Sequence, residues 1–392
     1  MPLPSIERIL LGPGPSQIAP RVMRAMAAPV LGHLDPDFVP LLDEVRASLQ
    51  RLFRADAGAL TIATSGTGTS AMEAAVANAV REGTRGTVVV TGYFGDRLVQ
   101  MFERYGARVR RIDVEWGRAA DPQRLRDELR RHGADVVGMV HAETSTGVLN
   151  PIKELAAVAR EHGALTIVDT VTSLGGHEVD VEGWGVDIAY SCSQKCIGAP
   201  SGMSPIAVAG PARARLVPCR SFYVDLKLLE DYWVGRKYHH TLSTTLIYAL
   251  REALLMIEEE GLPARHARHE RHHLALAAGL EAMGLSLLPP EGERLWTLNA
   301  ICVPDGVDEA AVRRTLLTAF NLEVGAGLGP LAGKIWRVGL MGASSTAQNV
   351  LQFLAVLEHA LALHGFGARE GDGVAAASAV LRPELSRELQ PI

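Results

Sequence analysis

The sequence predicts an α/β fold with a large domain built on a mostly parallel sheet and a smaller C-terminal α+β domain. Between residues 21 and 260, short apolar runs alternate with helical stretches, which is typical of a parallel sheet covered by helices. An amphipathic stretch from 244 to about 260 ends at Gly261-Leu262-Pro263, where glycine and proline predict a boundary. With 392 residues, the chain is long enough for two domains.

The elements follow this plan in chain order. Residues 1–20 are rich in proline and glycine and are expected to form an extended N-terminal arm. In the large domain, assigned to 21–260, apolar runs predict strands at 87–91, 108–114, 135–141, 165–170, 186–191 and 206–209.

The small domain is assigned to 261–375. It is expected to combine strands at 298–303 and 336–340 with helices at 309–320 and 347–364. The remainder from 365 onward is rich in glycine, alanine and charge, and is expected to be mobile or to pack late on the surface. Residues 376–392 are assigned to this tail.

Composition and charge argue against several classes of protein. Hydrophobic residues make up 47% of the chain and charged residues 21%, as in ordinary globular proteins. A net charge of -5 gives no electrostatic reason to expect a nucleic-acid or membrane partner. No apolar stretch reaches the roughly 20 residues that cross a bilayer, and the N-terminus lacks a signal-peptide pattern. The four cysteines favour a reducing interior, so a cytoplasmic location is expected.

Lys195 is the candidate nucleophile. It is one of five lysines among 39 lysines and arginines, and it lies in a turn of small residues between two apolar runs. An amine partly shielded from water has its charged form disfavoured and can attack a carbonyl carbon. The residue therefore indicates Schiff-base chemistry, although a lone lysine in a turn is more often structural.

Asp169 is the candidate partner of Lys195. It ends the apolar run 164–169, the pattern of a buried parallel strand with a functional residue at its carboxyl end. A second strand candidate, 185–191, lies between the two residues, so adjacent strands could bring both side chains to a flat cofactor. Pyridoxal phosphate needs this pair, a lysine for the imine and a carboxylate to keep the pyridine nitrogen protonated. A helix N-cap or strand-end aspartate is the structural alternative.

A glycine turn supplies a candidate phosphate site. A short strand leads into Gly66-Thr67-Gly68-Thr69, and an alanine-rich helical stretch follows. Backbone N–H groups at the helix start and the two threonine hydroxyls would cradle a phosphate. The same turn fits a dinucleotide fingerprint, but the next strand, 86–92, has no acidic residue at its end. A nicotinamide-dependent oxidoreductase remains the alternative from another enzyme class.

The segment His269-Glu270-Arg271-His272-His273 contains the letters of a zinc-protease motif. Neighbouring arginines would surround a dication with positive charge. The segment is therefore interpreted as a solvated helix face, and no metal site is expected.

With these pieces in place, the chain resembles the class V aminotransferases of fold type I, and most closely the alanine/serine:glyoxylate aminotransferase group. The resemblance covers nearly the whole chain, and its motifs are specific in combination. They are LGPGPS (11–16), SGTGT (65–69), ETSTG (143–147), VDT (168–170), SQK (193–195), YHHT (238–241) and GKIWRVG (333–339).

The resemblance implies a role for each candidate residue. Lys195 would form the imine with pyridoxal 5'-phosphate and then move the proton between the substrate Cα and the cofactor, while Asp169 would contact the ring nitrogen. Thr144 would reach the phenolic oxygen of the cofactor. Phe94 would stack on the ring, where many members have tryptophan, and its smaller area implies lower cofactor affinity. The residues implied to hold the phosphate are Thr67, Gly68, Thr69 and Gln194.

The resemblance also implies a homodimer whose sites are shared across the interface. Tyr238 and Thr241 match residues that reach the phosphate of the neighbouring subunit's cofactor. Arg337 matches the arginine whose planar fork binds the substrate α-carboxylate. The partners implied are small amino acids and 2-oxo acids.

The resemblance specifies glyoxylate as the acceptor but leaves more than one amino donor open. His33 is assigned to the substrate site together with Arg337. Stretches 115–117, 229–233 and 329–333 also resemble the ureidoglycine:glyoxylate aminotransferases, which place amides where His33 and Tyr238 stand here. A phenol at the second position is the pattern for alanine or serine donors. We therefore expect transfer from alanine or serine to glyoxylate, giving glycine and a 2-oxo acid, with ureidoglycine as the alternative donor.

A class V desulfurase or lyase is a further alternative. It needs a mobile catalytic cysteine, and none of the four cysteines lies in an obvious glycine- and serine-rich loop. They are Cys192, Cys196, Cys219 and Cys302.

Overall fold

The computed structural model describes residues 6–367 and 371–388. Its strands are β1 (Ile9–Leu10), β2 (Leu60–Gly66), β3 (Arg85–Val90), β4 (Arg108–Asp113), β5 (Val136–Val140), β6 (Ala142–Glu143), β7 (Val148–Leu149), β8 (Leu165–Asp169), β9 (Ile188–Tyr190), β10 (Gly202–Val208), β11 (Leu298–Cys302), β12 (Leu322–Glu323), β13 (Gly325–Ala326) and β14 (Ile335–Gly339).

The α-helices are α1 (Pro20–Met26), α2 (Val39–Phe53), α3 (Gly68–Ala77), α4 (Tyr93–Arg104), α5 (Pro122–His132), α6 (Ile152–Glu161), α7 (Val181–Trp184), α8 (Leu226–Trp233), α9 (Thr244–Glu260), α10 (Leu262–Ala282), α11 (Glu309–Phe320), α12 (Ala347–Leu363) and α13 (Asp372–Glu388). Within the described ranges, no helix combines the length and apolar character needed to span a bilayer.

A seven-stranded sheet forms the centre of the large domain, in the order β2-β10-β9-β8-β5-β3-β4. The pairs β3–β4, β3–β5, β5–β8 and β8–β9 are parallel, whereas β10 is antiparallel to both of its neighbours. Strands β5 and β8 are buried at every residue, as their uninterrupted apolar sequences predict for strands covered on both faces. The predicted mostly parallel α/β sheet is confirmed.

The carboxyl ends of the parallel strands meet at one edge of this sheet. Asp169 ends β8, and the register pairs it with Val140 of β5 and Tyr190 of β9. Strand β2 runs in the same direction, since β2 and β9 are both antiparallel to β10, so its end at Gly66 lies at the same edge. Open α/β sheets bind their ligands at this edge.

Each domain has its own hydrophobic core. Phe38, Phe53 and Phe102 are fully buried in the core of the large domain. The small domain has a three-stranded antiparallel sheet, β11-β14-β13, and its core contains the buried Trp336 and Phe353. Helix α9 contributes Leu250 and Leu254 to the large core, and α10 contributes Leu276 and Leu280 to the small one.

The N-terminal arm is packed on the small domain. Strand β1 pairs in parallel with β12, and Leu11 is fully buried in the small core. Helix α1 begins at Pro20, where the predicted arm ends. The arm therefore leads from the small domain across to the large one, and on the way it passes the turn that carries Lys195.

The chain after residue 371 differs from the surface tail predicted for 376–392. Helix α13 packs against α10 and α12, and Ala377 and Leu381 are fully buried in the small core. Their four-residue spacing places both on one helical face. The segment is rich in alanine and glycine, so this narrow apolar stripe was not evident in the sequence. Residues 389–392 of the predicted tail lie outside the described residues.

The histidine segment of α10 also differs from its prediction, because it is not a solvated face. His269, His272 and His273 are buried, since α9, α12 and α13 all pack against this helix. His269 Nε2 accepts a hydrogen bond from Gly342 N at 3.1 Å, and His272 Nδ1 lies 2.9 Å from Ser345 Oγ. Burial lowers the pKa of all three rings. In the described chain, no three potential ligands of the histidine, cysteine or carboxylate type are grouped to hold a metal ion.

We predict that Leu381→Ala lowers the free energy of unfolding by about 2–5 kcal/mol, because it leaves a cavity in the small core. Leu363→Ala is the matched control, since Leu363 is 64% exposed on α12, and it should cost less than about 0.5 kcal/mol. Urea unfolding of both variants measures the difference. Equal effects would show that α13 adds little to the core.

Candidate active site

A cavity of about 140 Å³ opens at the carboxyl edge of the large sheet. Most of the residues predicted to bind the cofactor line it together. Its lining residues are Thr67, Gly68, Thr69, Met72, Phe94, Arg97, Ala142, Thr144, Asp169, Val171, Gln194 and Lys195.

Lys195 lies in a short π-helical turn, Ser193–Ile197, between β9 and β10. Burial lowers the pKa of its amine, with Arg337 contributing in the same direction. The Nζ atom donates a hydrogen bond to the carbonyl oxygen of Pro13 in the arm. The next residue, Gly14, has a φ of +111°, and a Cβ there would lie 2.7 Å from Cδ and Cε of the lysine. The arm can cover the lysine this closely only because residue 14 has no side chain.

The lysine turn is held from two sides. Ser16 of the arm donates from Oγ to Lys195 O at 2.9 Å, and its N–H donates to Gln194 O at 3.0 Å. From the other side, the buried guanidinium of Arg265 in α10 donates to Cys196 O at 2.6 Å and to Gly175 O at 2.8 Å. Sequence reasoning missed both residues. The LGPGPS motif contains Ser16 but does not indicate this contact, and no local pattern identifies Arg265, since each residue acts over a long separation in the chain.

Asp169 is 3% exposed and has two hydrogen-bond partners. Its Oδ1 accepts from Val171 N at 2.8 Å, and its Oδ2 accepts from the hydroxyl of Tyr190 at 3.0 Å. Burial raises the pKa of the carboxyl group to about 7, and the two hydrogen bonds oppose this shift. Tyr190 was not predicted as a site residue. The sequence could have indicated this residue, because Tyr190 ends β9, the strand that neighbours β8.

The start of α3 presents the predicted phosphate cradle. Thr67 is the N-cap residue but makes no side-chain capping bond, and the first N–H groups of a helix have no partner inside it. Beside them, the amide oxygen of Gln194 is buried and has no hydrogen-bond partner in the part of the chain that the structure describes. Rotating that amide would present its NH₂ donor instead. An unsatisfied amide next to free N–H groups suits an anionic group with several acceptor oxygens, and so fits a cofactor phosphate.

Glu143 organises the loop on the other side of the cavity. Its fully buried carboxylate accepts from the N–H groups of Phe94, Gly95 and Ser145, at 3.4, 3.2 and 3.1 Å. It thus fixes the start of α4, which carries Phe94, to the loop that carries Thr144. Burial raises the pKa of Glu143. The sequence motif contained this residue, but its role as a structural acceptor follows only from the tertiary contacts.

Arg337 and Thr144 lie next to each other. Arg337 Nη1 donates to Thr144 O at 3.3 Å, and Nε donates to Ala326 O at 2.7 Å. Burial lowers the pKa of Arg337 to about 10, so the guanidinium stays charged at neutral pH. The Thr144 hydroxyl lies 2.5 Å from that of Thr172.

His33, Tyr238 and Thr241 do not line this cavity. Tyr238 is 63% exposed and its ring lies against that of His33, with centroids 5.6 Å apart. Thr241 is exposed as well. His33 is half-buried, and its Nε2 has no hydrogen-bond partner. Within one chain, these three predicted residues therefore remain apart from the other candidates.

Comparisons with known proteins identify the family and the fold. A family model described as aminotransferase class V matches residues 9–348. The crystal structure of a ureidoglycine–glyoxylate aminotransferase from Bacillus subtilis superposes with a TM-score of 0.94 at 40% identity, covering 97% of this chain and all of that one.

Two further similarities cover both domains. The crystal structure of an alanine–glyoxylate aminotransferase from Nostoc sp. has a TM-score of 0.89 at 47% identity, over 92% of this chain and 97% of that one. The alanine–glyoxylate aminotransferase of Drosophila melanogaster is 38% identical over 370 residues, which are 92% of this chain and 94% of that protein.

The raised pKa of Asp169 predicts a pH-dependent stability in the cofactor-free protein. Its pKa rises from 3.8 to about 7 on folding, so its contribution is most favourable below pH 4 and is lost as pH rises through 7. Asp169→Asn cannot ionise. We predict that this variant gains stability over the wild type between pH 4 and 8, by on the order of 4 kcal/mol at most.

Denaturant unfolding at several pH values measures this difference. Asp305→Asn, in an exposed turn, is the control and should show no such trend. The prediction would be contradicted if the free energies of unfolding of the wild type and of Asp169→Asn differed by the same amount across this pH range.

Proposed function

The chain belongs to the class V aminotransferases of fold type I, which depend on pyridoxal 5'-phosphate, and on this premise we propose that it transfers an amine from alanine or serine to glyoxylate. The products are glycine and a 2-oxo acid. The observation that carries the proposal is one cavity lined by an amine of lowered pKa and a buried strand-end carboxylate. Family membership also decides against the nicotinamide-dependent oxidoreductase.

Lys195 is the proposed nucleophile and proton carrier. When bound, the cofactor supplies an aldehyde for the imine and a ring that accepts electrons from the substrate Cα. Burial disfavours the ammonium form of this amine, and the neutral form has the lone pair that attack on a carbonyl and proton removal from Cα would require. The arm residues around Gly14 shield this amine from water on one side.

Asp169 is proposed to hold the proton on the pyridine nitrogen. A cationic ring nitrogen beside a carboxylate favours the ionised carboxylate, which offsets the effect of burial. The hydroxyl of Tyr190 and the N–H of Val171 orient both oxygens. Tyr190 is thus a positioning residue for Asp169.

The other cofactor contacts follow from the cavity lining. We assign the phosphate to the start of α3 and to Gln194, the phenolic oxygen to the Thr144 hydroxyl, and one ring face to Phe94. The residues assigned to the phosphate at α3 are Thr67, Gly68 and Thr69.

Arg337 is proposed to bind the substrate α-carboxylate. Two of its nitrogens donate to backbone carbonyls, while Nη2 has no partner among the described residues. The backbone bonds hold the planar group in place. A carboxylate approaching from the cavity would meet an oriented donor and a full charge.

The names of the relatives support glyoxylate as the acceptor. The ureidoglycine–glyoxylate and the alanine–glyoxylate aminotransferases differ in the donor but share glyoxylate. For the donor, the phenol of Tyr238 supports alanine or serine. Ureidoglycine is the second candidate, because the enzyme from Bacillus subtilis matches nearly the whole chain.

The cysteines oppose a desulfurase and support the proposed cytoplasmic location. Burial raises the pKa of Cys192 to about 12 and of Cys196 to about 11, so neither is a reactive thiolate. All four cysteines are free of disulfides. Reduced thiols persist in the cytoplasm.

A homodimer with shared sites is supported by an exposed apolar surface around Tyr238. Large apolar side chains seldom cluster in contact with water unless they form an interface. Phe222, Tyr223 and Tyr238 are exposed members of this surface, and ring contacts through His33, Tyr232, His239 and His240 link them. Tyr238 and Thr241 would then reach the cofactor phosphate of the partner subunit, which explains why they do not line their own cavity.

The first test measures glycine formed from glyoxylate with alanine, serine or ureidoglycine as donor. We expect alanine or serine to be the fastest, and Lys195→Ala to reduce the rate by at least about 10³-fold because nucleophile and base are lost together. Lys153→Ala removes an exposed lysine from α6 and should have no effect. Faster turnover with ureidoglycine would make ureidoglycine the preferred donor in place of alanine or serine. An active Lys195→Ala protein would overturn the mechanism.

The second test is subunit complementation. Lys195→Ala chains are mixed with chains carrying Tyr238→Phe and Thr241→Val, and the subunits are allowed to exchange. A hybrid dimer then contains one site with both an intact lysine and an intact pair from the partner chain. We expect recovery of about a quarter of wild-type activity, from random pairing. No recovery despite hybrid formation would refute shared sites.

A further inference from the structure

We infer that Arg97 is the cation that binds the cofactor phosphate from within the same chain. This inference rests on the proposed function and adds a residue outside the motifs described above. Three observations carry it: the position of Arg97 on α4, its contact with the phosphate cradle, and its lack of a carboxylate partner.

Arg97 lies three residues after Phe94, on the same side of α4. Its Cζ is 4.9 Å from the centroid of the Phe94 ring and 5.3 Å from that of Tyr93. Both distances are in the range of cation–π contacts. The guanidinium therefore supports the ring that is assigned to the cofactor face.

The same guanidinium reaches the start of α3. Arg97 Nη1 donates to Thr69 Oγ1 at 3.2 Å. Thr69 lies in the first turn of α3, where the first N–H groups of the helix have no partner inside it, and Thr67, Gly68 and Thr69 all line the cavity. A phosphate held by that turn would lie next to the arginine, which lines the cavity itself.

The charge of Arg97 is not neutralised by an ion pair among the described residues. By contrast, Arg111 pairs with both Asp96 and Asp113 at 2.7 and 2.9 Å. Among the described side chains that line the cavity, Arg97 and Lys195 are the basic ones and Asp169 is the acidic one. Lys195 is assigned to the imine, so Arg97 is the cation left for the phosphate.

A phosphate monoester brings a charge of about -1.5 to -2 at neutral pH. The planar guanidinium fork matches two of its oxygens, and charge-assisted hydrogen bonds of this kind are short and strong. Arg97 would thus hold the phosphate directly and the ring through Phe94. Cofactor retention would then depend partly on a cation in cis, and not only on the residues that the partner subunit contributes.

The test compares two ligands that differ only in the phosphate. The full-length protein is freed of cofactor and titrated with pyridoxal 5'-phosphate or with pyridoxal, and binding is followed by absorbance. We expect Arg97→Gln to raise the Kd of pyridoxal 5'-phosphate about tenfold or more, and the Kd of pyridoxal less than about threefold. Arg97→Lys keeps the charge but lacks the planar fork, so its Kd for pyridoxal 5'-phosphate should lie between those of the wild type and Arg97→Gln.

Arg104→Gln is the matched control. It removes the same charge two turns further along α4, from an exposed position outside the cavity, and should leave both Kd values unchanged. A variant with a general folding defect would bind both ligands less well, so the ratio of the two Kd values isolates the phosphate contact.

An equal loss of affinity for both ligands, or no loss for either, would overturn the assignment to phosphate. If the wild-type protein itself failed to bind pyridoxal 5'-phosphate, the proposed function would fall instead. The two failures are therefore distinguishable.

Discussion

The chemistry of this protein depends on keeping the amine of Lys195 out of bulk water while leaving it able to react. The turn that carries the lysine is tied to the N-terminal arm through Ser16 and to α10 through Arg265. Desolvation disfavours the ammonium form, and the missing side chain at Gly14 allows the arm to lie directly over the amine. The lysine turn is therefore held by the arm, about 180 residues before it, and by Arg265 of α10, 70 residues after it.

The cavity is lined by the large domain, and the small domain contacts two of the lining segments: Arg337 donates to Thr144 O, and Arg265 donates to Cys196 O in the lysine turn. The large sheet supplies Asp169 and the cradle at α3. Within the large domain, the buried Glu143 fixes the start of α4 to the loop that carries Thr144. Asp169, Glu143, Arg265 and Arg337 each make two or more hydrogen bonds, so small displacements of either domain would break several of them at once. This coupling favours one arrangement of the site.

Much of the fold could be predicted because its elements carry local signals. Helices α9 and α11 have the bounds expected from the pattern, and the parallel strands appear near their predicted positions. The predictions failed where a helix is covered on several sides, as for the histidines of α10, or where small residues form the buried face, as for Ala377 in α13. Hydrophobic periodicity reports a single buried face, so it misses both situations.

The sequence by itself determined the type of chemistry, since Lys195, Asp169 and the glycine turn are read from residue types and from their order along the chain. Only the tertiary structure decided how those residues are tuned and held. Tyr190, Glu143, Arg265 and Arg97 act through contacts between segments distant in sequence. The strength of such contacts depends on burial and geometry, and neither is a property of any short stretch of chain.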